Sequence, residues 1–388
     1  MKRALVLGLA RSGRAAAAAL RRRDVEVVEA DRSLGNDEDV AALEGIDVVV
    51  KSPGVPRENP IVAAARVPVW SEVELGYRLL GRPLVGVTGT NGKTTTSVLL
   101  GRMLGATVAG NVGRALTELD AEPGEGWVVV ELSSFQLEDV HSFRPRVAVL
   151  LNLEPDHLDR HGSFEAYRAA KLRIFENQGE GDVAIVPRGH GRVPGMGTCL
   201  EFAWDDPLPV EPLLRGAHNR ENAVAATLAA RAAGASEEQI VDALRTFPGV
   251  PHRLELVAEI DGVAYVNDSK ATNVAAASRA LAAYADMPVH LVLGGSRKGE
   301  DFAPLAEAIG PNVRRAYLVG EAAEELAVVL RVPFERSGDL DTAVHAAAAA
   351  AEPGDVVLLS PACASYDQFR DFEQRGEEFS RLVRSLGT

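Results

Sequence analysis

The sequence has few cysteines and lacks long apolar runs, and both absences narrow the class of protein. Its 388 residues include only Cys199 and Cys363, so we expect no disulfide framework and a reducing compartment. No stretch reaches the length of about 18 consecutive apolar residues that a membrane-spanning helix needs. Residues 1–8 also lack the long apolar segment of a secretory signal peptide. The sequence therefore predicts a cytoplasmic protein that does not insert into a membrane.

The sequence also has fewer basic than acidic residues. Lys and Arg number 41 against 55 Asp and Glu, which gives a formal net charge of −14 at pH 7. Because nonspecific affinity for nucleic acid comes from basic side chains on the phosphate backbone, this balance argues against a nucleic-acid partner. Small anionic substrates remain compatible with it, since a local basic pocket can lie within an acidic protein. The chain length leaves room for two or three domains.

Strand-like and helical patterns alternate through the whole chain, which indicates an α/β protein with mostly parallel sheets. We expect a Rossmann-like N-terminal domain over residues 1–81, which ends at a Gly-Arg-Pro linker. A central mononucleotide-binding domain with a parallel sheet follows over 82–249. A second Rossmann-like domain is predicted over 250–388.

A glycine-rich loop between a strand and a helix is the strongest motif. The apolar run 84–88 leads into Gly89-Thr90-Asn91-Gly92-Lys93-Thr94-Thr95, and a helical pattern follows. Such a loop directs backbone N–H groups and a helix N-terminus at a bound phosphate. Lys93 is placed to reach the β- and γ-phosphates, and the Thr94 hydroxyl to bind Mg²⁺. Val87 replaces the usual first glycine of this motif, so the loop is a shorter variant.

The first 31 residues match a dinucleotide-binding unit only weakly. A strand over 4–7 precedes the turn 8–13, an alanine-rich helix over 14–22 and a second strand that ends before Asp31. An acidic residue after the second strand is typical of a site that binds ribose hydroxyls. Ala10, however, replaces the second glycine of G-x-G-x-x-G. A dinucleotide oxidoreductase and a Rossmann-like unit without a dinucleotide both stay open at this point.

Polar residues at two strand ends mark a candidate metal site. Glu131 lies in a buried-strand pattern, and a second such pattern, 147–152, leads to His157. We expect these strands to be adjacent, with both side chains beside Thr94 and the phosphate loop. A carboxylate and an imidazole there would suit Mg²⁺. Taken singly, each residue is better explained as a helix cap or a hydrogen-bonded surface group.

Two other segments carry little signal of their own. Lys171 lies in a helix predicted over 164–175, where its pattern is that of a solvated lysine. Residues 178–200 are rich in glycine and proline and are uninformative. Neither segment would be assigned a function from its pattern alone.

Four stretches resemble the Mur ligases, the ATP-dependent amide-forming enzymes of peptidoglycan precursor synthesis. The phosphate loop Thr88–Thr95 is similar to the ATP loop of that family. The runs Glu131–Glu138, Asn267–Asn273 and Leu359–Gly376 are similar to the branch of the family that adds D-glutamate. The resemblance covers residues 2–385, and the chain is shorter than typical around 178–210.

This resemblance implies an ATP site with two Mg²⁺ ions and a carbamylated Lys171. Carbamylation converts the cationic amine into a carboxylate-like anion, which explains how a lysine could lie beside Mg²⁺. The implied metal positions are Thr94, Glu131, His157 and Lys171, and the implied catalytic residues are Lys93, His157, Lys171 and Arg253. The implied ATP contacts are Gly89, Asn91, Gly92, Lys93, Thr94, Thr95, Asn219, Asn222, Arg253, Asp268 and Lys270.

The resemblance also implies two further substrate sites. The family's first domain binds the UDP part of the substrate in place of NAD, which agrees with the weak fingerprint around Ala10. The implied UDP-substrate contacts are Arg11, Ser12, Asp31, Ser52, Asn111, Ser133 and Gln136. The implied D-glutamate contacts are His252, Thr272, Lys298, Ser365 and Phe372.

The implied reaction has two steps. The carboxylate of UDP-N-acetylmuramoyl-L-alanine attacks the γ-phosphate of ATP, and the resulting acyl phosphate is then attacked by the amine of D-glutamate. The expected partners are these small molecules alone, and the expected state is a monomer. Two alternatives remain: another ligase of the superfamily, such as a folylpolyglutamate synthase, and a nucleotide-binding switch protein that ligates nothing. The N-terminal β-α-β unit and the long C-terminal motif argue against the first alternative. Three ligand-facing clusters on three domains are more than a switch protein needs.

Overall fold

A computed structural model describes residues 1–122, 124–214, 216–297, 299 and 301–387. The chain divides into two compact units. The first combines Met1–Pro212 with His218–Thr246, and the second combines Leu213–Ala217 with Phe247–Thr388. Among the described residues, no helix has the length and apolar character needed to cross a bilayer.

The first unit begins with a four-stranded parallel sheet, in the strand order β2-β1-β3-β4. Helix α1 returns from β1 to the parallel neighbour β2, which confirms the β-α-β unit expected from the sequence. The strands are β1 (Arg3–Leu7), β2 (Glu26–Ala30), β3 (Val48–Lys51) and β4 (Val69–Ser71), and the helices are α1 (Arg11–Arg22), α2 (Pro60–Ala64) and α3 (Glu72–Leu80).

A six-stranded parallel sheet follows in the same unit, in the order β10-β9-β8-β5-β7-β6. Its strands are β5 (Leu84–Thr88), β6 (Thr107–Gly110), β7 (Val128–Glu131), β8 (Val147–Leu150), β9 (Val183–Pro187) and β10 (Thr198–Phe202). Its helices are α4 (Lys93–Leu104), α5 (Ser134–Leu137), α6 (Leu158–His161), α7 (Phe164–Leu172), α8 (Ala217–Ala232) and α9 (Glu237–Thr246).

One expectation for this sheet was wrong. β7, which ends at Glu131, and β8, which precedes His157, are not adjacent, because β5 lies between them. The helix predicted over 164–175 is confirmed, since α7 carries Lys171 and ends at Leu172, and a 3-10 turn continues it over Arg173–Phe175. Residues 178–200 contain β9 and part of β10. The glycines and prolines there form the turns around these strands and obscure the alternation of apolar and polar residues that indicates a strand.

The second unit contains a six-stranded sheet in the order β11-β12-β16-β13-β14-β15. The edge strand β11 is antiparallel to β12, and the other strand pairs described for this sheet are parallel. The strands are β11 (Glu255–Ile260), β12 (Val263–Asn267), β13 (Val289–Gly294), β14 (Val313–Val319), β15 (Phe334–Gly338) and β16 (Val356–Leu359), and the helices are α10 (Val274–Ala283), α11 (Ala303–Ala308), α12 (Ala323–Val329), α13 (Leu340–Ala350) and α14 (Phe372–Leu386).

Two buried carboxylates on α3 join the two sheets of the first unit. Both oxygens of Glu74 accept hydrogen bonds, from the backbone N–H groups of His141, Ser142 and Phe143 at 2.9–3.1 Å and from the Ser142 hydroxyl at 2.6 Å. Arg78 donates to the same carboxylate at 2.6 Å. Glu72 accepts from Thr117 with only one oxygen, while its buried Oε2 has no hydrogen-bond partner. Glu74 is therefore fully satisfied and Glu72 is not.

The two carboxylates accordingly have opposite pKa shifts. Burial disfavours the charge of Glu74, but the hydrogen bonds from residues 141–142 and from Arg78 outweigh burial, and the pKa falls below 4.5. Burial raises the pKa of Glu72 in spite of its bonds from Thr117. The ionised form of Glu74 thus stabilises the fold, whereas ionisation of Glu72 opposes it.

We predict that Glu74→Gln lowers the free energy of unfolding by about 2–5 kcal/mol at pH 7, because the amide group faces N–H donors that it cannot accept from. The matched control, Glu72→Gln, should cost clearly less, since the oxygen that bonds Thr117 can be retained. The unchanged protein should lose the contribution of Glu74 as the pH falls through the depressed pKa of that carboxyl, while above pH 4.5 the contribution is fully present. Thermal or denaturant unfolding between pH 3 and 8 measures both effects, and equal losses for the two variants would contradict this account.

Candidate active site

The loop between β5 and α4 has the close backbone approaches of a phosphate-binding turn. Gly92 has a left-handed conformation (φ 80°), and a Cβ atom there would lie 2.2 Å from Oδ1 of Asn222. At Gly89 (φ 155°), a Cβ would lie 2.9 Å from the side chain of Leu151. Helix α4 starts at Lys93 without a side-chain cap and without an acidic residue in its first turn. Its N-terminal N–H groups are therefore suited to an anion.

Two lysines donate to the same carbonyl of this loop. Lys93 Nζ lies 2.9 Å from the oxygens of Gly89 and Thr90, and Lys171 Nζ lies 2.7 Å from the oxygen of Gly89. A carbonyl oxygen has two lone pairs, so it can accept from both amines. The arrangement brings together two amines that lie far apart in the sequence.

Lys171 is not the solvated lysine that its helical pattern indicated. The residue is 2% exposed, and its amine also lies 3.5 Å from the Thr88 hydroxyl and 4.9 Å from the centre of the Tyr167 ring. Burial and, secondarily, the charge of Lys93 lower the pKa of Lys171 from 10.5 to about 7. A large share of Lys171 amines is therefore neutral near pH 7. An amine needs this form to act as a nucleophile.

Asn152 fixes the loop, and its role was missed in the sequence. Its side-chain oxygen accepts from the N–H of Asn91 at 2.8 Å, and its amide group donates to the Asn91 carbonyl at 3.2 Å. Its own carbonyl accepts from the N–H of Thr90 at 3.1 Å. Glu154 and Tyr167 add bonds to the side chains of Asn91 and Thr90, at 2.9 Å each. The position of Asn152 directly after β8, at the carboxyl edge of the sheet, was the available signal.

Glu131 offers an unused oxygen at the end of β7. The residue is 1% exposed, and its Oε1 accepts from the Asn111 side chain at 2.7 Å. Its Oε2 is buried and has no hydrogen-bond partner. A buried carboxylate oxygen without a partner is costly unless a cation or donor occupies its neighbourhood. The structure thus pairs two predicted site residues, Asn111 and Glu131, and leaves one oxygen of Glu131 available for a metal ion.

His157 lies in a strained and exposed position. It is the N-cap of α6 with a left-handed backbone (φ 51°), and its side chain is half exposed. Its ring packs against Phe135, with the centroids 4.8 Å apart. Within the described part of the chain, no three His, Cys, Asp or Glu side chains form a metal-binding group. The predicted metal set does not require one, because it combines Glu131 and His157 with Thr94 and Lys171.

The predicted contacts of the first sheet organise the turn after β1. Asp31 accepts from the N–H of Leu9 at 2.6 Å and from the N–H and hydroxyl of Ser33, and these bonds lower the pKa of Asp31 to about 2. The Ser52 hydroxyl donates to the carbonyl of Gly8 at 2.7 Å. Arg11 extends toward the carbonyls of Gly110 and Asn111, at 3.4 and 3.3 Å. Arg11 thus connects this turn with the loop after β6.

Ser133 and Gln136 form a capping box on α5 and bond each other. Gln136 is 1% exposed, so its side chain is occupied in holding the start of this helix. Of the other predicted residues, Thr94, Asn219, Asn222 and Ser365 are buried, while Ser12, Thr95 and Thr272 are partly exposed. Lys298 lies outside the described residues.

Within the second unit, Asp268 is an almost fully buried acid. It accepts from the N–H of Leu254 at 3.2 Å and from the Ser360 hydroxyl at 2.9 Å. Burial raises the pKa of Asp268 to about 7, against the opposing effect of these bonds and of Arg253. Arg253 itself lies in a turn in which its N–H donates to the carbonyl of Val250.

An aromatic and cationic cluster surrounds the start of α14. The Lys270 amine lies 5.0 Å from the centre of the Phe372 ring, and the His252 ring packs edge-on against the same ring. His252 also bonds the side chain of Asn267 at 3.0 Å. The buried Arg375 donates to the carbonyls of Ser269, Cys363 and Ala364, and so ties together the loops after β12 and β16.

Comparison with known proteins identifies the class to which this fold and site belong. Residues 87–191 match the model of the Mur ligase middle domain, and residues 252–363 match the Mur ligase glutamate ligase domain. The chain belongs to the Mur ligase family. Its relatives include a protein from Acidobacterium capsulatum, 43% identical over 98% of this chain and 96% of its own, and one from Anaeromyxobacter dehalogenans, 44% identical over 98% and 97%. Both are named UDP-N-acetylmuramoylalanine–D-glutamate ligase.

Solved structures show the same fold at low sequence identity. UDP-N-acetylmuramate-alanine ligase MurC from Thermotoga maritima has a TM-score of 0.60 at 19% identity. The alignment covers 100% of this chain and 100% of that one. MurF ligase from the same organism, solved in complex with ADP, has a TM-score of 0.61 at 20% identity. That alignment covers 91% of this chain and 92% of the MurF chain. These structures confirm the α/β class with parallel sheets. The family also removes any reason to assign a dinucleotide oxidoreductase to the first sheet.

We predict that Asn152→Ala weakens ATP binding by about tenfold or more, because Asn91 loses both bonds that hold the loop backbone. Asn177→Ala is the matched control. It also removes an amide group with two bonds to backbone carbonyls of the same unit, those of His141 and Phe143. Titration calorimetry with ATP compares the two variants. Equal weakening in both would mean that Asn152 acts only through general stability.

Proposed function

We propose that this chain is an ATP-dependent ligase that adds D-glutamate to UDP-N-acetylmuramoyl-L-alanine, a step of peptidoglycan precursor synthesis. The observation that carries the proposal is the phosphate loop with two lysines on one carbonyl, in a chain that matches ligases of this name almost from end to end. The loop supports phosphoryl transfer from ATP. The relatives identify D-glutamate as the amino acid that is joined.

The first step needs charge neutralisation, because the substrate carboxylate and the γ-phosphate of ATP are both anions. Lys93 and the first N–H groups of α4 would hold the phosphates. Attack of the carboxylate on the γ-phosphate forms a new P–O bond and releases ADP, which leaves an acyl phosphate. The neutral amine of D-glutamate then attacks the acyl carbon. A C–N bond forms, the bond from the acyl carbon to the phosphate oxygen breaks, and inorganic phosphate leaves with the proton that the amine loses.

We assign the remaining ATP contacts to the residues that the family resemblance implies. Asn222 lies against Gly92 of the loop, and this contact supports its assignment to the bound nucleotide. Asn219 lies one helical turn earlier and is buried. In the second unit, Arg253 is assigned to the γ-phosphate, and Asp268 and Lys270 to the ribose side.

The residues present fit Mg²⁺. Glu131 Oε2 is a buried oxygen without a partner, and the Thr94 hydroxyl lies in the first turn of α4, so both supply the hard oxygen ligands that Mg²⁺ prefers. We assign His157 and a carbamylated Lys171 to a second Mg²⁺. When bound, Mg²⁺ neutralises charge on the phosphates.

The carbamate on Lys171 is supported by its buried amine. A neutral amine attacks the carbon of CO₂, a C–N bond forms, and the departing proton goes to solvent. The product is an anion that reverses the charge beside Gly89. Because the pKa of Lys171 is lowered to about 7, the reactive amine is abundant at neutral pH without a further base.

We assign the UDP part of the substrate to the first sheet. Arg11 and Ser12 begin α1 directly after the turn that follows β1, Asp31 lies directly after β2, and Ser52 holds the turn through Gly8. Asn111, Ser133 and Gln136 are assigned to the phosphate and sugar side. In this scheme residues 1–81 bind the UDP part, 82–249 bind ATP and 250–388 bind D-glutamate.

D-glutamate is assigned to residues of the second unit. It has two carboxylates and one reacting amine, so recognition has to hold the carboxylates and leave the amine free. Lys298 would supply a charge, Thr272 and Ser365 hydroxyl donors, and His252 and Phe372 the surrounding walls. We further propose that the enzyme acts as a cytoplasmic monomer on these small molecules alone.

The direct test measures product formation with several amino acids. The protein is mixed with ATP, Mg²⁺ and UDP-N-acetylmuramoyl-L-alanine, and D-glutamate, L-glutamate, D-aspartate, L-alanine and meso-diaminopimelate are supplied in parallel. We expect phosphate release and a ligated product with D-glutamate, and little with L-glutamate, because inversion of the carbon misplaces a carboxylate or the amine. Preference for another amino acid would overturn the assignment of D-glutamate. Ligation of L-glutamate to a folate would place the chain with the folylpolyglutamate synthases.

A second prediction concerns Lys171. Lys171→Ala should be nearly inactive and should regain part of its activity when short-chain carboxylates are added, since these can occupy the place of the carbamate. Lys171→Arg should stay inactive under the same conditions, because a guanidinium keeps its positive charge and fills that place. An active Lys171→Arg variant would contradict the carbamate. The assay is product formation with and without formate or acetate.

A further inference from the structure

A groove lined by arginines lies at the opposite end of the central sheet from the phosphate loop. It encloses about 610 Å³, and its walls include Arg78, Arg82, Arg144 and Arg146 together with Tyr77 of α3. Pockets of about 300–1,000 Å³ are the size that binds small molecules in proteins. None of the sites proposed above uses these residues.

The backbone brings three of the arginines to the amino ends of two neighbouring strands of the sheet. Arg82 precedes β5, and Arg144 and Arg146 precede β8, which is the parallel neighbour of β5. The N–H of Arg146 donates to the carbonyl of Leu84 at 2.9 Å, so the two approaching segments run side by side. The strand β5 then carries the chain roughly 16 Å to the phosphate loop, at about 3.3 Å per residue. The groove is therefore separate from that loop.

Two of the four positive charges are compensated within the protein. Arg78 pairs with the buried Glu74, and Arg144 pairs with the buried Asp182, at 2.6 Å in both cases. Arg82 donates to the uncharged carbonyl of Gly126 at 2.9 Å and has no ion pair in the described part of the chain.

Arg146 is exposed, and among the described residues its side chain has neither an ion pair nor a hydrogen bond. The groove thus holds two uncompensated guanidinium groups, on Arg82 and Arg146, in a protein of net charge −14. Such a local excess of positive charge in an acidic protein attracts an anion to this groove rather than to the surface at large.

We propose that this groove binds a small anion that carries two or more phosphate groups. A guanidinium presents its N–H groups as a planar fork that pairs with two oxygens of one phosphate, so Arg82 and Arg146 favour a ligand with at least two such groups. The concave, ligand-sized shape fits a small molecule rather than an extended nucleic acid. The site is independent of the proposed ligase reaction.

Calorimetric titration with tripolyphosphate tests the proposal on the full chain. We expect two binding events, one at the phosphate loop and one in the groove. Lys93→Ala should weaken the first event, and Arg146→Gln should weaken the second by about tenfold to hundredfold, the loss expected for a charge-assisted bond. Arg66→Gln is the matched control, since Arg66 is also exposed and has no ion pair among the described residues. It should change neither event.

Two further arms separate the possible outcomes. Citrate, which is a carboxylate of similar charge, should bind the groove at least tenfold more weakly than tripolyphosphate. Arg146→Gln should keep the ligase activity of the unchanged protein, because the groove lies away from the phosphate loop. A single binding event that Lys93→Ala abolishes, equal effects of Arg146→Gln and Arg66→Gln, or tighter binding of citrate would each overturn the proposal. If the unchanged protein binds tripolyphosphate in the groove but not at the phosphate loop, the result contradicts the ligase assignment and supports the groove proposal.

Discussion

The carbonyl of Gly89, shared by the amines of Lys93 and Lys171, is the interaction on which the candidate site depends. Lys171 is held in a buried position by this bond, and burial together with the neighbouring charge lowers its pKa to about 7. A lysine on the surface would remain protonated and would repel a nearby Mg²⁺ ion. Burial thus explains how a residue that is positively charged in water can be largely neutral here, as the proposed carbamate requires.

The rest of the first unit keeps this carbonyl in place. Asn152 holds the loop backbone through Asn91 and Thr90, and its position is fixed by β8, which is buried beside β5. Glu74 joins α3 to the segment 141–143 that leads toward β8, so the first sheet and the central sheet share one set of buried hydrogen bonds. The chain has six lysines, and two of them donate to the same carbonyl of this loop.

Much of the fold could be predicted from sequence because parallel strands are buried on both faces and appear as apolar runs, as at 84–88 and 147–150. Strand order could not, because it depends on long-range pairing, and β5 was found between the strands that carry Glu131 and His157. The loop itself was readable from its glycines and Lys93. The burial of Lys171 and the role of Asn152 could not be predicted from the sequence, since each depends on a partner more than 60 residues away.

The pKa of the Lys171 amine tests the central claim most directly. The protein would be labelled with ¹³C at the ε-carbon of lysine and titrated in buffer free of CO₂, where six resonances are expected. The account predicts that one resonance titrates near pH 7 and that this resonance is missing from Lys171→Ala. A Lys171 resonance that titrates near 10.5 would contradict the account, because the amine would then be protonated and unreactive at neutral pH.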